Sequence, residues 1–167
     1  MGRGRRAPKP PVSVRLERLG TKGPLGLDEA GKEWRVRAAP VGALVRAQPG
    51  RKQIARRLEI IEPAPDQIQP QCPVFGRCGG CQLQEMPLSS QRIHKQRMVE
   101  ELVGIPSVAI RGADAAYGYR NKVELSFGPR AYLAEHEKDS GQGEGSFLGF
   151  HPPGWFSKIV PLEGCPL

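Results

Sequence analysis

The chain has 167 residues and a formal net charge of +8 at pH 7, with 38% hydrophobic and only 6% aromatic residues. This length suffices for one ordinary domain or two small ones. No apolar run approaches the roughly 18 residues that a membrane-spanning helix needs, which excludes that class. The first eleven residues are basic and lack the apolar run of a secretory signal, so we expect a cytoplasmic protein.

The positive charge is concentrated near the amino terminus. Residues 1–62 carry a net charge of +9, whereas residues 63–167 carry −1. This asymmetry predicts an N-terminal module with a polyanionic partner. Within it, residues 1–10 alternate Arg and Lys with Gly and Pro, and they contain nothing that would anchor them. We predict a disordered basic arm there.

Residues 11–62 show the pattern of a small β-barrel. Apolar and polar residues alternate over 12–17, and further strand-like segments lie at 33–37, 41–47 and 53–62. The segments 20–26 and 48–51 are rich in turn-forming residues. Four or five short strands with tight turns and no helix favour a closed barrel of the oligonucleotide-binding (OB) kind.

Basic side chains of this barrel are candidate nucleic-acid contacts. Trp34 is the only aromatic residue before Phe75, so a base-stacking platform of the usual kind is not expected. We predict salt-dependent, electrostatic binding, with an ordinary solvated basic face as the alternative. The candidate residues are Arg35, Arg37, Arg46, Lys52, Arg56 and Arg57.

The four cysteines predict a metal site. Cys72, Cys78 and Cys81 have the spacing Cys-x5-Cys-x2-Cys, and Cys165 is the third residue from the end. Three clustered thiols and one distant thiol are typical of a cubane iron–sulfur cluster, in which each cysteine holds one iron. Zinc is the main alternative, although it usually takes two short cysteine pairs. Two disulfides or free thiols remain a third possibility.

A proline-rich link at 63–70 precedes the cysteine loop, and a second domain is predicted over 63–167. A helix is expected between residues 87 and 104, with Ser89 or Ser90 as N-cap and an apolar stripe formed by Ile93, Val99, Leu102 and Val103. Antiparallel strands are expected at 122–127, 131–135, 146–151 and 156–160. The predicted fold class is therefore mainly β with one or two helices: an OB-like barrel followed by an α+β antiparallel-sheet domain.

Several motifs together resemble one enzyme family. The segment from Cys72 to Gln84 reads Cys-Pro-x-Phe-Gly-x-Cys-Gly-Gly-Cys-Gln-Leu-Gln. It resembles the iron–sulfur signature of the bacterial RNA uridine carbon-5 methyltransferases, which modify 23S ribosomal or transfer RNA. Residues 119–122, 149–151, 159–160 and 165–166 also follow the order of that family.

The resemblance implies an N-terminal TRAM domain at 11–62, a cluster domain at 63–167 and a catalytic domain that binds S-adenosylmethionine. It implies a 4Fe–4S cluster on the four cysteines and RNA contacts by Arg120, Asn121 and Lys122. No glycine-rich S-adenosylmethionine site is recognisable, so residues 1–167 alone are expected to transfer no methyl group. A stand-alone, non-enzymatic iron–sulfur or zinc RNA-binding protein is the alternative, and no obligate protein partner is inferred.

Overall fold

The computed structural model describes residues 9–134, 137, 141 and 143–167, so most of the predicted basic arm lies outside the described residues. The chain divides into two compact units. The first contains the residues up to Ile68 together with Glu85–Ile110, and the second contains Gln69–Gln84 and Arg111–Leu167. The predicted domain limits, 11–62 and 63–167, follow the chain in order and stay a prediction.

The first unit contains a closed five-stranded barrel. Its strands follow the order β1-β2-β3-β5-β4, and only the β3–β5 pair is parallel. This is the arrangement of a small OB-like barrel. The predicted fold class, mainly β with a barrel followed by a small antiparallel sheet, is confirmed. The barrel strands are β1 Val12–Gly20, β2 Gly23–Asp28, β3 Glu33–Arg37, β4 Leu44–Pro49 and β5 Ile54–Glu62.

The barrel interior is filled by the alternating apolar residues of these strands. Val14 and Leu16 of β1 pack with Val36 of β3 and Val45 of β4. Alanines complete the core, among them Ala47 and Ala55. Since side chains alternate across a strand, the same register sends the intervening charged residues outward.

Strand β2 was missed by the sequence prediction, which placed a turn at residues 20–26. Its sequence is Gly-Pro-Leu-Gly-Leu-Asp, and glycine and proline are usually depleted in strands. The glycine is required by packing, because a Cβ at Gly26 would collide with the main-chain carbonyl of Arg15 on β1. The close pairing of β1 and β2 therefore requires a glycine at position 26, and this glycine made the segment look like a turn in the sequence.

Asp28 organises the connection between β2 and β3. Its Oδ1 accepts hydrogen bonds from the backbone amides of Ala30 (3.0 Å) and Lys32 (2.9 Å), and its Oδ2 accepts one from Trp34 Nε1 (2.7 Å). Trp34 is only 3% exposed. It is therefore a core residue and offers no surface for stacking bases.

We expect Asp28→Ala to destabilise the barrel in a pH-dependent way. The Trp34 hydrogen bond, followed by that of Lys32, lowers the pKa of Asp28 below its usual 3.8. A carboxyl group with a lowered folded-state pKa stabilises the fold above its unfolded pKa, and this contribution is lost as pH falls through the folded value. In urea unfolding, the free energy of unfolding of Asp28→Ala should be clearly lower than that of the wild type at pH 7. This difference should shrink below pH 3.8. Glu29→Ala, at an exposed neighbouring carboxylate, is the control and should change little at either pH.

One helix, α1 Leu88–Val103, follows the cysteine loop and ends at Gly104 as predicted, and Gly104 is in the left-handed conformation. Its N-cap is Pro87, without a side-chain hydrogen bond, so the assignment of Ser89 or Ser90 as N-cap was wrong. Ser90 lies in the first turn of the helix and is buried. The predicted apolar stripe is largely exposed, with Leu102 at 65% and Val103 at 60%. No helix of the described residues is long and apolar enough to cross a membrane.

The second unit contains a three-stranded antiparallel sheet in the order β6-β7-β8. These strands are β6 Ser126–Arg130, β7 Glu144–Phe150 and β8 Val160–Pro161. The first strand begins four residues later than predicted, and the last shares only Val160 with the predicted segment 156–160. Of the segment predicted at 131–135, Ala131 forms one isolated bridge to Ile159, and residue 135 lies outside the described residues.

Candidate metal centre and nucleic-acid surface

All four cysteines line one cavity in the second unit. Cys72, Cys78 and Cys81 come from the loop before α1, and Cys165 comes from the segment after β8. No disulfide joins them. The cavity is otherwise lined by Phe75, Gly80, Gln84, Arg120, Phe150, Leu162, Gly164 and Leu167. Thiols separated by more than eighty residues in sequence are thus brought to a common site.

Backbone hydrogen bonds shape the loop that presents three of these thiols. The amide of Phe75 donates to the Cys72 carbonyl (3.1 Å), and the amide of Cys78 donates to the Val74 carbonyl (2.9 Å). Gly76, with a φ of 81°, supplies the left-handed residue that this tight path requires. These turns lie between Cys72 and Cys78, whose side chains both line the cavity.

The loop is fixed to the sheet at Gly79. Its amide donates to the carbonyl of His151, just after β7, over 3.1 Å. A Cβ at this position would lie 2.6 Å from that carbonyl oxygen, so only glycine permits the close approach. His151 is held in turn, because its Nδ1 lies 2.8 Å from the Lys158 carbonyl oxygen.

Two of the thiols have raised pKa values. Burial is the main cause for Cys78, and the negative charge that Cys81, Cys72 and Cys165 would carry raises its pKa further, while the Gly80 amide lowers it. Burial likewise raises the pKa of Cys81, against lowering effects of Gln84 and Arg120. These thiols are therefore weak nucleophiles, and a bound metal would have to displace their protons.

The thiols share a cavity without forming a cage for one ion. Among the described residues, no group of three or more His, Cys, Asp or Glu side chains is arranged to hold a single metal ion. Four thiolates on one zinc need Zn–S distances of about 2.3 Å, which forces the sulfurs close together. A cubane distributes its four thiolates over four irons and so needs them further apart.

Gln84 is a site residue that the sequence analysis quoted but did not single out. It is 6% exposed, lines the cavity, and accepts a 3.2 Å hydrogen bond from the Cys72 amide through Oε1. The only sequence signal is its position, three residues after Cys81. A polar amide immediately behind a cysteine cluster is the kind of residue that bonds to ligand backbones or sulfurs.

On the barrel, two of the predicted RNA contacts are already paired with carboxylates. Arg46 forms a 2.9 Å ion pair with Glu59 across the β4–β5 ladder. Arg57 pairs with Glu85, and both of these side chains are largely buried. Charge neutralisation by these neighbours leaves Arg46 and Arg57 less available to a polyanion.

The other four predicted barrel contacts form what we call the open cation patch: Arg35, Arg37, Lys52 and Arg56. Arg35 and Arg37 lie on β3, directly beside the start of β5, where Arg37 is the register partner of Arg56. Lys52 lies in the adjoining turn with a positive φ of 54°. None of the four has an ion pair within the described part of the chain.

The predicted contacts Arg120, Asn121 and Lys122 do not lie at the start of a strand, because β6 begins only at Ser126. All three are exposed. Arg120 lines the cysteine cavity, and Lys122 forms a 2.8 Å ion pair with Glu124. The structure therefore places Arg120 at the candidate metal centre.

Curated proteins similar to this chain are named for RNA methylation. A protein of Chlorobaculum tepidum, named as an uncharacterized RNA methyltransferase, is 40% identical over 123 residues, covering 68% of this chain and 26% of that protein. The 23S rRNA (uracil(1939)-C(5))-methyltransferase of Halomonas elongata is 30% identical over 84% of this chain and 28% of its own length. This chain is homologous to the N-terminal part of RNA methyltransferases.

The resemblance to uridine carbon-5 methyltransferases is thereby confirmed. A further relative, the tRNA (uracil(54)-C(5))-methyltransferase of Pyrococcus abyssi, is 26% identical over 70% of this chain and 25% of its own length. The chain spans about a quarter of the length of these methyltransferase relatives. No protein-family model matches the chain.

Proposed function

We propose that this chain is the RNA-binding, 4Fe–4S-carrying portion of an S-adenosylmethionine-dependent RNA uridine carbon-5 methyltransferase. The observation that carries the proposal is the shared cavity of the four cysteines in a chain whose relatives include uracil-C5 methyltransferases. In this proposal Cys72, Cys78, Cys81 and Cys165 each hold one iron of the cluster.

The spacing of the thiols favours a cubane over zinc, because three clustered cysteines and one distant cysteine are typical of such a cluster. All four thiols line one cavity, so one bound group can reach each of them. Gln84 also fits a thiolate-bound group, since its buried Nε2 has no hydrogen-bond partner of good geometry among the described residues and metal-bound thiolates accept hydrogen bonds.

The cluster has a structural role in this proposal. When bound, it supplies four iron–thiolate bonds that cross-link positions 72, 78, 81 and 165. Such a link would stabilise the second unit, because few of its described apolar side chains are buried: Cys78, Ala131, Pro152, Ile159 and Val160. Small domains with thin cores are commonly stabilised by a metal or by disulfides.

RNA binding is assigned to the barrel, and the open cation patch would contact phosphates. The patch offers four cations without described ion pairs, and the only tryptophan of the barrel is buried, so electrostatic rather than base-stacking recognition is expected. We retain residues 11–62 as the proposed TRAM domain and 63–167 as the proposed cluster domain. S-adenosylmethionine binding and methyl transfer are assigned to the part of the relatives' sequences that this chain does not match.

The RNA part of the proposal is tested by titrating the anaerobically purified chain with a fluorescent, single-stranded, uridine-containing RNA at several salt concentrations. We expect the logarithm of the binding constant to fall linearly with the logarithm of salt concentration, with a slope of about −0.7 for each phosphate contact. An absence of binding at low salt, or affinity that does not change with salt, would contradict RNA binding by this module.

A further inference from the structure

Gln84 has a buried side-chain donor without an acceptor. Its Oε1 accepts the hydrogen bond of the Cys72 amide, which fixes the orientation of the side-chain amide. The other polar atom of the side chain, Nε2, is buried, and among the described residues no acceptor meets the distance and angle of a hydrogen bond to it. Since buried donors are nearly always satisfied, this one calls for a missing acceptor.

The surroundings of Nε2 indicate what that acceptor is. Gln84 lines the cavity that the four thiols share, and its amide is close enough to Cys81 to favour the thiolate of that residue. A thiolate bound to a metal carries more negative charge than the protonated thiol and is a better acceptor. Thus the donor and the proposed ligand line the same cavity.

We propose that Gln84 is a positioning residue of the cluster: Oε1 holds the Cys72 backbone, and Nε2 donates an N–H···S hydrogen bond to the Cys81 thiolate. This inference rests on the proposed function, because it requires the cluster. One side chain then connects two of the four ligands. Hydrogen bonds to ligand sulfurs favour the reduced, more negative cluster and so raise its reduction potential.

Two variants at this position separate the donor from the acceptor. Gln84→Glu keeps an oxygen for the Cys72 amide but loses the donor, and Gln84→Met loses both without adding charge. We expect the reduction potential of the reconstituted cluster to become more negative in both variants, measured by anaerobic redox titration. Gln82→Glu is the matched control, since Gln82 is close in sequence but is not among the described residues that line the cavity. Its potential should shift by less than half as much.

A measurement on the wild-type protein covers the case in which the variants fail to fold. After incorporation of 15N-labelled glutamine and reduction of the cluster, pulsed electron paramagnetic resonance should detect one coupled glutamine nitrogen. Its absence, or equal potential shifts in Gln84→Glu and Gln82→Glu, would overturn the role of Gln84 while the cluster stands. Wild-type protein that takes up no iron would overturn the proposed function and this inference together.

Discussion

Replacing Cys78 by serine is expected to remove the cluster and loosen the second unit. Cys78 is the most buried of the four cysteines, and the cavity depends on its loop. Iron should fall well below about four per chain, because a cubane that loses one of its four thiolates is held less tightly and degrades more readily. In proton–nitrogen correlation spectra, signals of Gln69–Gln84 and Arg111–Leu167 should broaden or collapse, while the barrel signals persist.

Cys165→Ser provides the matched comparison. Cys165 is exposed, so losing its thiol removes little packing. If both residues are ligands, iron loss should be equal in the two variants despite their different burial. A Cys78→Ser protein with the wild-type iron content would remove Cys78 from the ligand set. Strong iron loss in Cys78→Ser with none in Cys165→Ser would remove Cys165 instead.

The second large effect is expected from the open cation patch. The triple variant Arg35→Gln, Arg37→Gln, Arg56→Gln should weaken RNA binding by about 10- to 100-fold at low salt. Each lost phosphate contact reduces the salt slope by about 0.7, so the triple variant should lower it by about 2. Fluorescence anisotropy titrations at four or more salt concentrations measure both quantities.

A second triple variant carries the same change in charge at paired positions. Arg15, Arg18 and Arg46 are exposed arginines that form ion pairs with Glu62, Glu33 and Glu59. Their replacement by glutamine should affect RNA binding far less, and exposed pairs contribute little to stability. Equal losses in both triple variants would mean that the barrel binds RNA through its overall charge, without a defined patch.

The barrel was predictable from sequence where alternation was clean. Val12 to Glu17 and Glu33–Arg37 follow the period of two that half-buried strands impose. Strand β2 escaped because the requirement at Gly26 comes from the neighbouring Arg15 carbonyl, which is a tertiary contact. The helix N-cap was assigned wrongly because serine is a common N-cap residue, whereas Ser89 and Ser90 here lie inside α1 and Pro87 is the N-cap.

At the candidate site, the sequence identified the residue types but not their pairing. Arg37 and Arg46 look alike in sequence, and only the β4–β5 register places Glu59 beside Arg46. For Gln84 the sequence offered only its position three residues after Cys81, because the burial of its side-chain donor depends on the fold and is not visible in the local sequence. The proximity of Cys165 to the other thiols depends on the whole second unit and was only a hypothesis.

The most direct test of the account is the content of iron, zinc and acid-labile sulfide in the anaerobically purified wild-type chain. The account predicts about four irons and four sulfides per chain, with a brown colour that an iron chelator or air removes. One zinc per chain without sulfide would contradict it, and so would a metal-free chain in which the four cysteines are oxidised to disulfides.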